Sequence, residues 1–247
     1  MSARGADALD AALAAIAAHP AADPVTRCEE AVSTRRSVRA FLPDPIPPVV
    51  IDHILATASR APSGSNIQPW FVDVLTGTAK QRLSERVLAA FEADPQGRWD
   101  YEYYPNPIED PYLSRRRKVG FGLYGTLGID RKDMAARQRQ HARNYIFFDA
   151  PVGLICSIED HLETGSWVDY GTFIQNIMVT CRALGLHSCA MAAFAQFGDA
   201  VRAGLDLPDN RLIVCGIGIG FEDKAAPENS LRTEREPVGV FTRFHDG

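Results

Sequence analysis

The stretch that decides the fold contains two motifs, RRSVRAF (35–41) and APSGSNIQPW (61–70), separated by a helical pattern. Apolar residues recur at three- and four-residue spacing over 49–60, directly after a cluster of prolines, which is typical of a helix that begins there. The second motif is a loop by composition. It leads into PWFVDVL (69–75), a short apolar run whose β-branched residues predict a strand.

The first motif concentrates positive charge. Arg35, Arg36 and Arg39 surround Ser37, and guanidinium groups this close repel one another unless an anion lies among them. Arginine offers a planar fork that matches phosphate oxygens, and the serine adds a hydroxyl group. The motif therefore favours a phosphate clamp, with a solvated basic turn as the alternative that composition leaves open.

The second motif is a polar loop that can contact a ligand. Gly64 loosens its backbone, and Pro62 and Pro69 stiffen its two ends. Its hydroxyl and amide groups belong to Ser63, Ser65, Asn66 and Gln68. Such a loop can direct several hydrogen-bonding groups at one heteroaromatic ring, although an ordinary turn before a strand has the same composition.

The rest of the chain mixes helical and strand patterns. Strands are predicted at PVGLICSI (151–158) and LIVCGIGIGF (212–221), and a helical stripe over 173–184 ends at Gly185. Few strands are close enough in sequence to form hairpins, so the pattern argues for an α+β or α/β fold.

The composition excludes several classes of protein. The chain has 247 residues, 46% hydrophobic and 23% charged, which is the balance of a globular domain. Its formal net charge of −5 argues against nucleic acid as a partner. No long apolar run predicts a membrane span, the cysteines form no C-x-x-C pair, and the alanine-rich start is acidic where an export signal would be basic. We therefore expect a soluble, cytoplasmic protein.

Familiar catalytic and metal-binding motifs are missing. The patterns H-E-x-x-H, G-x-S-x-G and G-x-x-x-x-G-K-[ST] do not occur. Gly120, Gly122 and Gly125 spell G-x-G-x-x-G, but the preceding SRRRKV does not resemble the strand that a dinucleotide site requires. His187 lies near Cys189, yet a structural zinc needs four ligands, so we interpret the histidine as a loop residue and expect no metal.

The two motifs, in this order and at this spacing, resemble the signature of the nitroreductase family of FMN-dependent oxidoreductases. The resemblance continues at FFDAPVGL (147–154), at ALGLHSC (183–189) and at GIGIGFEDKAAPENSLRTEREP (216–237), and it covers roughly residues 27–240. It implies an α+β fold, in which helices flank a central, mainly antiparallel sheet.

The resemblance also implies an intertwined homodimer with FMN at the subunit interface. Residues 1–24 would form an N-terminal helical arm, and 25–247 a single FMN-binding domain. The tail VGVFTRFHDG (238–247) is a second candidate arm that embraces the partner.

The resemblance assigns FMN-binding residues to positions in this chain. The phosphate and ribityl chain would lie against Arg35, Arg36, Ser37 and Arg39. The loop beside the flavin ring would be Pro62, Ser63, Gly64, Ser65 and Asn66. The backbone N–H groups of Ala192 and Ala193 would face flavin N5. Here the sequence reads CAMAAF (189–194), which departs from the commonest family pattern. A basic residue near the C-terminus would also contact the phosphate; Arg235 is the better match and Arg232 the second choice.

Acceptor choice is expected in residues 95–145, which interrupt the regular pattern and correspond to a family region that often covers the flavin. Phe121 and Tyr124 are candidate contacts of a flat acceptor, although rings that only pack this lid have the same signature. The basic run at 115–118 is interpreted as a solvated helix start or a subunit contact.

The implied activity passes electrons from NADH or NADPH through flavin N5 to a nitroaromatic, quinone or similar acceptor by a ping-pong mechanism. The flavin carries this chemistry, so no catalytic side chain is assigned. The alternatives are a flavin-consuming benzimidazole synthase or a reductive dehalogenase on the same fold, and a flavin-binding module without turnover. The residues do not distinguish NADH from NADPH, identify the physiological acceptor or show how far nitro reduction proceeds.

Overall fold

A four-stranded antiparallel sheet forms the centre of the structure, a computed structural model that describes residues 3–23 and 27–245, with side chains from residue 7 onward. Its strands are β1 (Phe71–Thr76), β2 (Val152–Glu159), β3 (His187–Met191) and β4 (Arg211–Gly220). Their spatial order is β1-β2-β4-β3, and every neighbouring pair is antiparallel. The fold is therefore α+β, and the predicted antiparallel sheet is confirmed.

Helices surround this sheet. The α-helices are α1 (Ala3–Ala18), α2 (Cys28–Thr34), α3 (Pro48–Ala58), α4 (Gly77–Ala93), α5 (Tyr112–Thr126), α6 (Met134–Ala142), α7 (Thr164–Ala183), α8 (Gly198–Leu205) and α9 (Val238–Phe241). Short 3-10 segments occur at Gly64–Asn66, Arg143–Asp149, Ala192–Gln196 and Pro227–Ser230. Among the described helices, none has both the length and the apolar character that a membrane span requires.

Both faces of the sheet are covered, which explains the continuous apolar runs of β2 and β4. Leu154 belongs to a core that includes Ile54 of α3 and Ile177 of α7. Ile155, the next residue along β2, belongs to a second core that includes Val87 of α4. Successive side chains of a strand point to opposite faces, so this alternation is the expected one.

The glycines of β4 make room for aromatic rings that pack on the sheet. A Cβ atom at Gly216 would lie 2.3 Å from the Phe194 ring, and one at Gly218 would lie 2.8 Å from the Phe147 carbonyl oxygen. The alternating glycines of this strand therefore serve packing rather than phosphate binding.

The predicted lid, residues 95–145, contains α5 and α6. Gly120, Gly122 and Gly125 all lie inside α5, so the G-x-G-x-x-G pattern there is helical. This helix contains three glycines and has no clear apolar stripe at helical spacing, so the hydrophobic pattern alone does not predict it.

The two predicted arms differ in their surroundings. Helix α1 packs on α3 of its own chain, with Leu9 and Ile16 buried. The tail from Val238 onward leaves Phe241 and Phe244 exposed, at 71% and 83%. An exchange of either arm with a partner subunit stays a prediction.

Candidate functional site

A pocket of about 1170 Å³ lies where the first motif meets the segment that follows β4. Residues 35–39 form one wall, and a second wall comes from residues 229–235. The residues from the sequence prediction that line it are Arg35, Arg36, Ser37, Arg39, Arg232 and Arg235. The fold thus brings together two basic segments from opposite ends of the chain.

An extended backbone orients the first wall. Val38 N–H donates a hydrogen bond to the Ser188 carbonyl at 3.2 Å, and Ser37 forms a parallel bridge with Ser188, the second residue of β3. Side chains alternate along extended backbone, so Arg35, Ser37 and Arg39 share one face. Val38 on the other face is fully buried, which anchors the motif to the body of the protein.

Several arginines in the pocket have no negatively charged partner. Burial lowers the pKa of Arg35, and the charge of Arg235 lowers it further. Two of the six pocket arginines, Arg36 and Arg182, pair with carboxylates. Within the described part of the chain, no carboxylate oxygen lies within 4.0 Å of a guanidinium nitrogen of the other four, Arg35, Arg39, Arg232 and Arg235. Guanidinium groups in such a recess suit a phosphate group, because each can donate charge-assisted hydrogen bonds to its oxygens.

Arg36 differs from its neighbours because its charge is already paired. Its guanidinium forms a salt bridge with Glu222 and donates a 3.1 Å hydrogen bond to the Asn229 carbonyl. The Glu222 side chain is 5% exposed, and a buried carboxylate requires such a partner. Arg36 therefore joins the two walls, whereas the sequence had assigned it to the same role as Arg35 and Arg39.

His187 lines the pocket as the first residue of β3, so its interpretation as a loop residue is wrong. Burial lowers the pKa of His187 to about 4, and the nearby Glu222 carboxylate, with its Oε2 3.6 Å from Nε2, opposes this shift only in part. The imidazole is consequently neutral at pH 7. Its Nδ1 atom is buried without a hydrogen-bond partner among the described residues.

The Pro62–Asn66 loop is separate from this pocket. Gly64 N–H donates to Asp169 Oδ2 at 3.0 Å, which attaches the loop to α7. Pro62, Gly64, Ser65 and Asn66 are exposed, Ser63 is half-buried, and none of the five lines the pocket. Ser65 and Asn66 have φ values of 50° and 59°, a left-handed conformation that non-glycine residues seldom adopt.

Ala192 and Ala193 lie at the other end of β3 from the pocket. Strand geometry places Ala192 about 17 Å along the chain from His187. Ala192 is half-buried and Ala193 is 9% exposed. Strand β3 therefore connects the arginine pocket with the backbone positions expected to face a flavin ring.

Helix α5 is held to the second wall by ion pairs within the chain. Arg115 pairs with Glu236 at 3.0 Å, and Lys118 pairs with Glu234. Arg116 lies over the Tyr104 ring, 4.2 Å from its centroid. Most of the basic run at 115–118 thus has partners in its own chain.

The two candidate substrate aromatics are covered by cations rather than open to the pocket. The Arg131 guanidinium lies 4.0 Å from the Phe121 ring centroid, and that of Arg137 lies 5.1 Å from the Tyr124 centroid. Neither ring lines the pocket. Contact of Phe121 or Tyr124 with an acceptor stays a prediction.

Three residues of the site were given no role by the sequence analysis. Glu222 and Asn229 gain their roles from partners almost the whole chain away. Arg182 of α7, which is 5% exposed, donates to Thr34 Oγ1 at 2.9 Å and pairs with Asp23 at 3.2 Å. A buried arginine in the apolar face of a helix is the one available hint that a paired network lies there.

Comparisons with known proteins agree with this geometry. Residues 32–221 match the model of the Nitroreductase family. The 4-nitrobenzoate reductase of Pseudomonas putida is 43% identical over 213 residues, which are 86% of this chain and 93% of that protein. Among solved structures, the FMN and NADPH-dependent nitroreductase NfnB from sphigopyxis sp. strain HMH is 35% identical with a TM-score of 0.87, covering 90% of this chain and 100% of that one.

A second solved structure is similar over nearly the same length. The FMN-dependent nitroreductase NfnB from Mycobacterium smegmatis in complex with NADPH is 32% identical, with a TM-score of 0.84, over 88% of this chain and 97% of that one. The family model covers well over half of the sequence, and the likeness to these structures extends to the whole fold. The chain therefore belongs to the nitroreductase family.

Proposed function

We propose that this protein is an FMN-dependent oxidoreductase that passes electrons from NAD(P)H to a nitroaromatic, quinone or similar acceptor by a ping-pong mechanism. The observation that carries the proposal is the arginine pocket between residues 35–39 and 229–235. Its donors fit the phosphate of FMN, because several guanidinium groups lie in one recess without carboxylate partners among the described residues.

The bound FMN supplies the redox chemistry, since a flavin can accept a hydride from a nicotinamide and give two electrons to an acceptor. The protein binds and orients it. Arg35, Arg232 and Arg235 would hold the phosphate and neutralise its charge, and the positive charge of Arg39 would stabilise a reduced, anionic flavin. The backbone N–H groups of Ala192 and Ala193 would be hydrogen-bond donors to the flavin ring.

The proposal includes a homodimer, because the residues expected to contact FMN do not all meet in one chain. The Pro62–Asn66 loop is exposed and separate from the pocket of its own chain. In the proposed dimer the loop of each subunit borders the flavin ring held by the other. Apolar side chains in the tail, including Phe241 and Phe244, are exposed in the single chain and become buried against the partner.

The acceptor is proposed to occupy the flavin face from which the nicotinamide has departed, which is why ping-pong kinetics are expected. The name of the Pseudomonas putida relative makes 4-nitrobenzoate the first acceptor to assay. Residues 95–145 are proposed to cover this face and to select among acceptors.

The proposal is tested on the purified protein. It should be yellow, should bleach with NADH or NADPH under anaerobic conditions, and should regain its colour when 4-nitrobenzoate is added. Initial rates at several concentrations of both substrates should give parallel double-reciprocal lines. A colourless protein that gains no flavin from added FMN contradicts the proposal, and a flavoprotein without sustained turnover supports the flavin-binding module instead.

A further inference from the structure

Asn229 is the first residue of the second wall of the arginine pocket and is 3% exposed. Its Oδ1 accepts a hydrogen bond from Arg39 N–H at 2.8 Å. Its Nδ2 donates to the carbonyl oxygens of Ala40 and Asp223, both at 2.8 Å. The side-chain amide therefore uses both of its N–H groups and its oxygen to connect the segments.

The backbone carbonyl of Asn229 orients two guanidinium groups. Arg36 donates to it at 3.1 Å, and Arg232 donates to it at 2.7 Å. Arg36 belongs to the first wall and Arg232 to the second, so one carbonyl oxygen serves both. The charge of Arg36 is paired with Glu222, which leaves Arg232 as the cation available to a ligand.

Apart from the contacts of the Arg36 side chain with Glu222 and Asn229, the segment after β4 is attached to the first motif at two points. At the first point, Asp223 N–H donates to the Ala40 carbonyl at 3.1 Å, beside the bridge between Phe41 and Glu222. Asn229 is the second point. Without the Asn229 amide, only the flexible Arg36 side chain would limit a pivot of the segment about Asp223, whereas the amide fixes the backbone of Arg39 against the second wall.

Repulsion makes this second attachment necessary. The charge of Arg235 adds to burial in lowering the pKa of Arg35, so the two cations repel each other, and without a ligand this repulsion favours a wider separation of the walls. Removing the Asn229 amide leaves the Arg39 N–H and the Ala40 carbonyl without this partner, which costs more than the loss of an exposed hydrogen bond.

We infer that Asn229 is a positioning residue for phosphate recognition: it holds the Arg39 wall and the Arg232 wall at the separation that the FMN phosphate requires. This inference rests on the proposed function, because it places that phosphate in the arginine pocket. It assigns selectivity for a phosphorylated flavin to a side chain that acts through its neighbours.

The test compares FMN with riboflavin, which has the same ring and ribityl chain but no phosphate. Dissociation constants are measured by titrating each flavin into the full-length apoprotein and following the quenching of flavin fluorescence. The wild type should prefer FMN, and Asn229→Ala should reduce that preference about tenfold through weaker FMN binding. If the role of Asn229 were purely structural, the substitution would weaken the binding of both flavins by the same factor.

Gln196→Ala is the matched control. Gln196 is also a buried amide, 8% exposed, whose Nε2 donates to the carbonyl oxygens of Pro95, at 3.1 Å, and Gln96. It does not line the arginine pocket. This variant should lose stability while its ratio of FMN to riboflavin affinity stays at the wild-type value.

The outcomes separate the two proposals. A wild type that binds riboflavin as tightly as FMN contradicts the placement of the phosphate and hence the proposed function. A wild type that prefers FMN, with an unchanged ratio in Asn229→Ala, overturns the inference alone. If Asn229→Ala does not fold, Asn229→Ser replaces it, and failure of both variants to fold assigns Asn229 to stability and also overturns the inference.

Discussion

Arg35 and Arg235 line the same pocket, and the charge of Arg235 adds to burial in lowering the pKa of Arg35. These residues come from opposite ends of the chain, so the fold itself creates the repulsion. An anion between them would convert this unfavourable interaction into two favourable ones.

Arg235→Ala should therefore weaken FMN binding about 10- to 100-fold, since a hydrogen bond to a charged group contributes about 1.5–3 kcal/mol. The measurement is a fluorescence titration of the apoprotein with FMN. Arg82→Ala, which removes an exposed cation from α4, serves as the control and should bind FMN as the wild type does. Equal affinities in all three proteins would exclude Arg235 from phosphate binding.

Mixed dimers test whether the loop and the arginines of one flavin site come from different subunits. A dimer of one Arg235→Ala chain and one Asn66→Gly chain should contain a single intact site and about half of the wild-type activity. Glycine is chosen because Asn66 has a φ of 59°, which glycine adopts without strain. Two affinity tags isolate the mixed dimer after co-expression.

The reciprocal dimer is the control for this experiment. A wild-type chain paired with a chain that carries both substitutions should have no intact site. If loop and arginines act within one subunit, the results reverse, with activity in the reciprocal dimer and none in the first.

His187 should make the stability of the apoprotein depend on pH. Burial lowers the pKa of His187 from 6.5 to about 4 in the folded protein, so below pH 6.5 the unfolded chain binds a proton that the folded chain does not. Stability is therefore lost as the pH falls from 6.5 to 4, by about 3 kcal/mol for this group. Other groups titrate in the same window, so the comparison is with His187→Gln.

Urea unfolding of both proteins at pH 7 and pH 4 provides the measurement. The free energy of unfolding should fall by about 3 kcal/mol more in the wild type than in His187→Gln. The charged groups around the imidazole, Glu222, Arg36, Arg182 and Lys224, are present in both proteins and therefore cancel in the comparison. Parallel losses in the two proteins would show that His187 is solvated in the folded state.

Two aspartates that pair with Arg202 should differ greatly in importance. Asp100, 5% exposed, forms a two-pronged salt bridge at 2.6 and 3.0 Å and accepts Ile213 N–H at 2.8 Å. Asp199 pairs with the same guanidinium at 2.6 Å but is 69% exposed. Asp100→Ala should cost about 3–5 kcal/mol of stability because it removes the buried partner of Arg202, which keeps only the exposed Asp199, and leaves the Ile213 N–H without its acceptor.

Asp199→Ala should cost less than about 1 kcal/mol, as is usual for exposed ion pairs. Urea denaturation at pH 7 compares the two variants directly. A similar cost for both would mean that the Asp100 side chain is hydrated in solution. Since Asp100 attaches the start of the lid to β4, its loss should also increase proteolysis within residues 95–110.

Elements governed by short-range patterns were predictable from the sequence. Strand β2 and helix α3 have enough apolar residues, at the right spacing, to identify them, and Gly185 ends α7 with a φ of 81°. The arginine clamp was anticipated through the family resemblance, and the structure brings its two segments together.

What was missed depends on contacts between distant segments. Helix α5 pairs with Glu234 and Glu236 and places Gly122 close to Leu231, and all of these contacts are with a segment far along the chain. Nothing near Asn229 reveals that its amide will meet the backbone of residue 39. Likewise, the two motifs at 35–41 and 61–70 are neighbours in sequence, but the Pro62–Asn66 loop does not line the pocket that residues 35–39 form in the single chain.

The joining of residues 35–39 to residues 222–235 has a consequence for biosynthesis. The ribosome synthesises the chain from its N-terminus. All four strands are therefore complete at Gly220, before the residues of the second wall have been made. If the FMN phosphate binds in this pocket as proposed, a chain that ends at Gly220 lacks Arg232 and Arg235 and should bind FMN weakly. Because a ligand that binds only the folded state stabilises it by mass action, the proposed cofactor would add its stability only after residues 229–235 have been synthesised. Tight binding of the proposed cofactor would therefore distinguish chains that include these residues from chains that stop short of them.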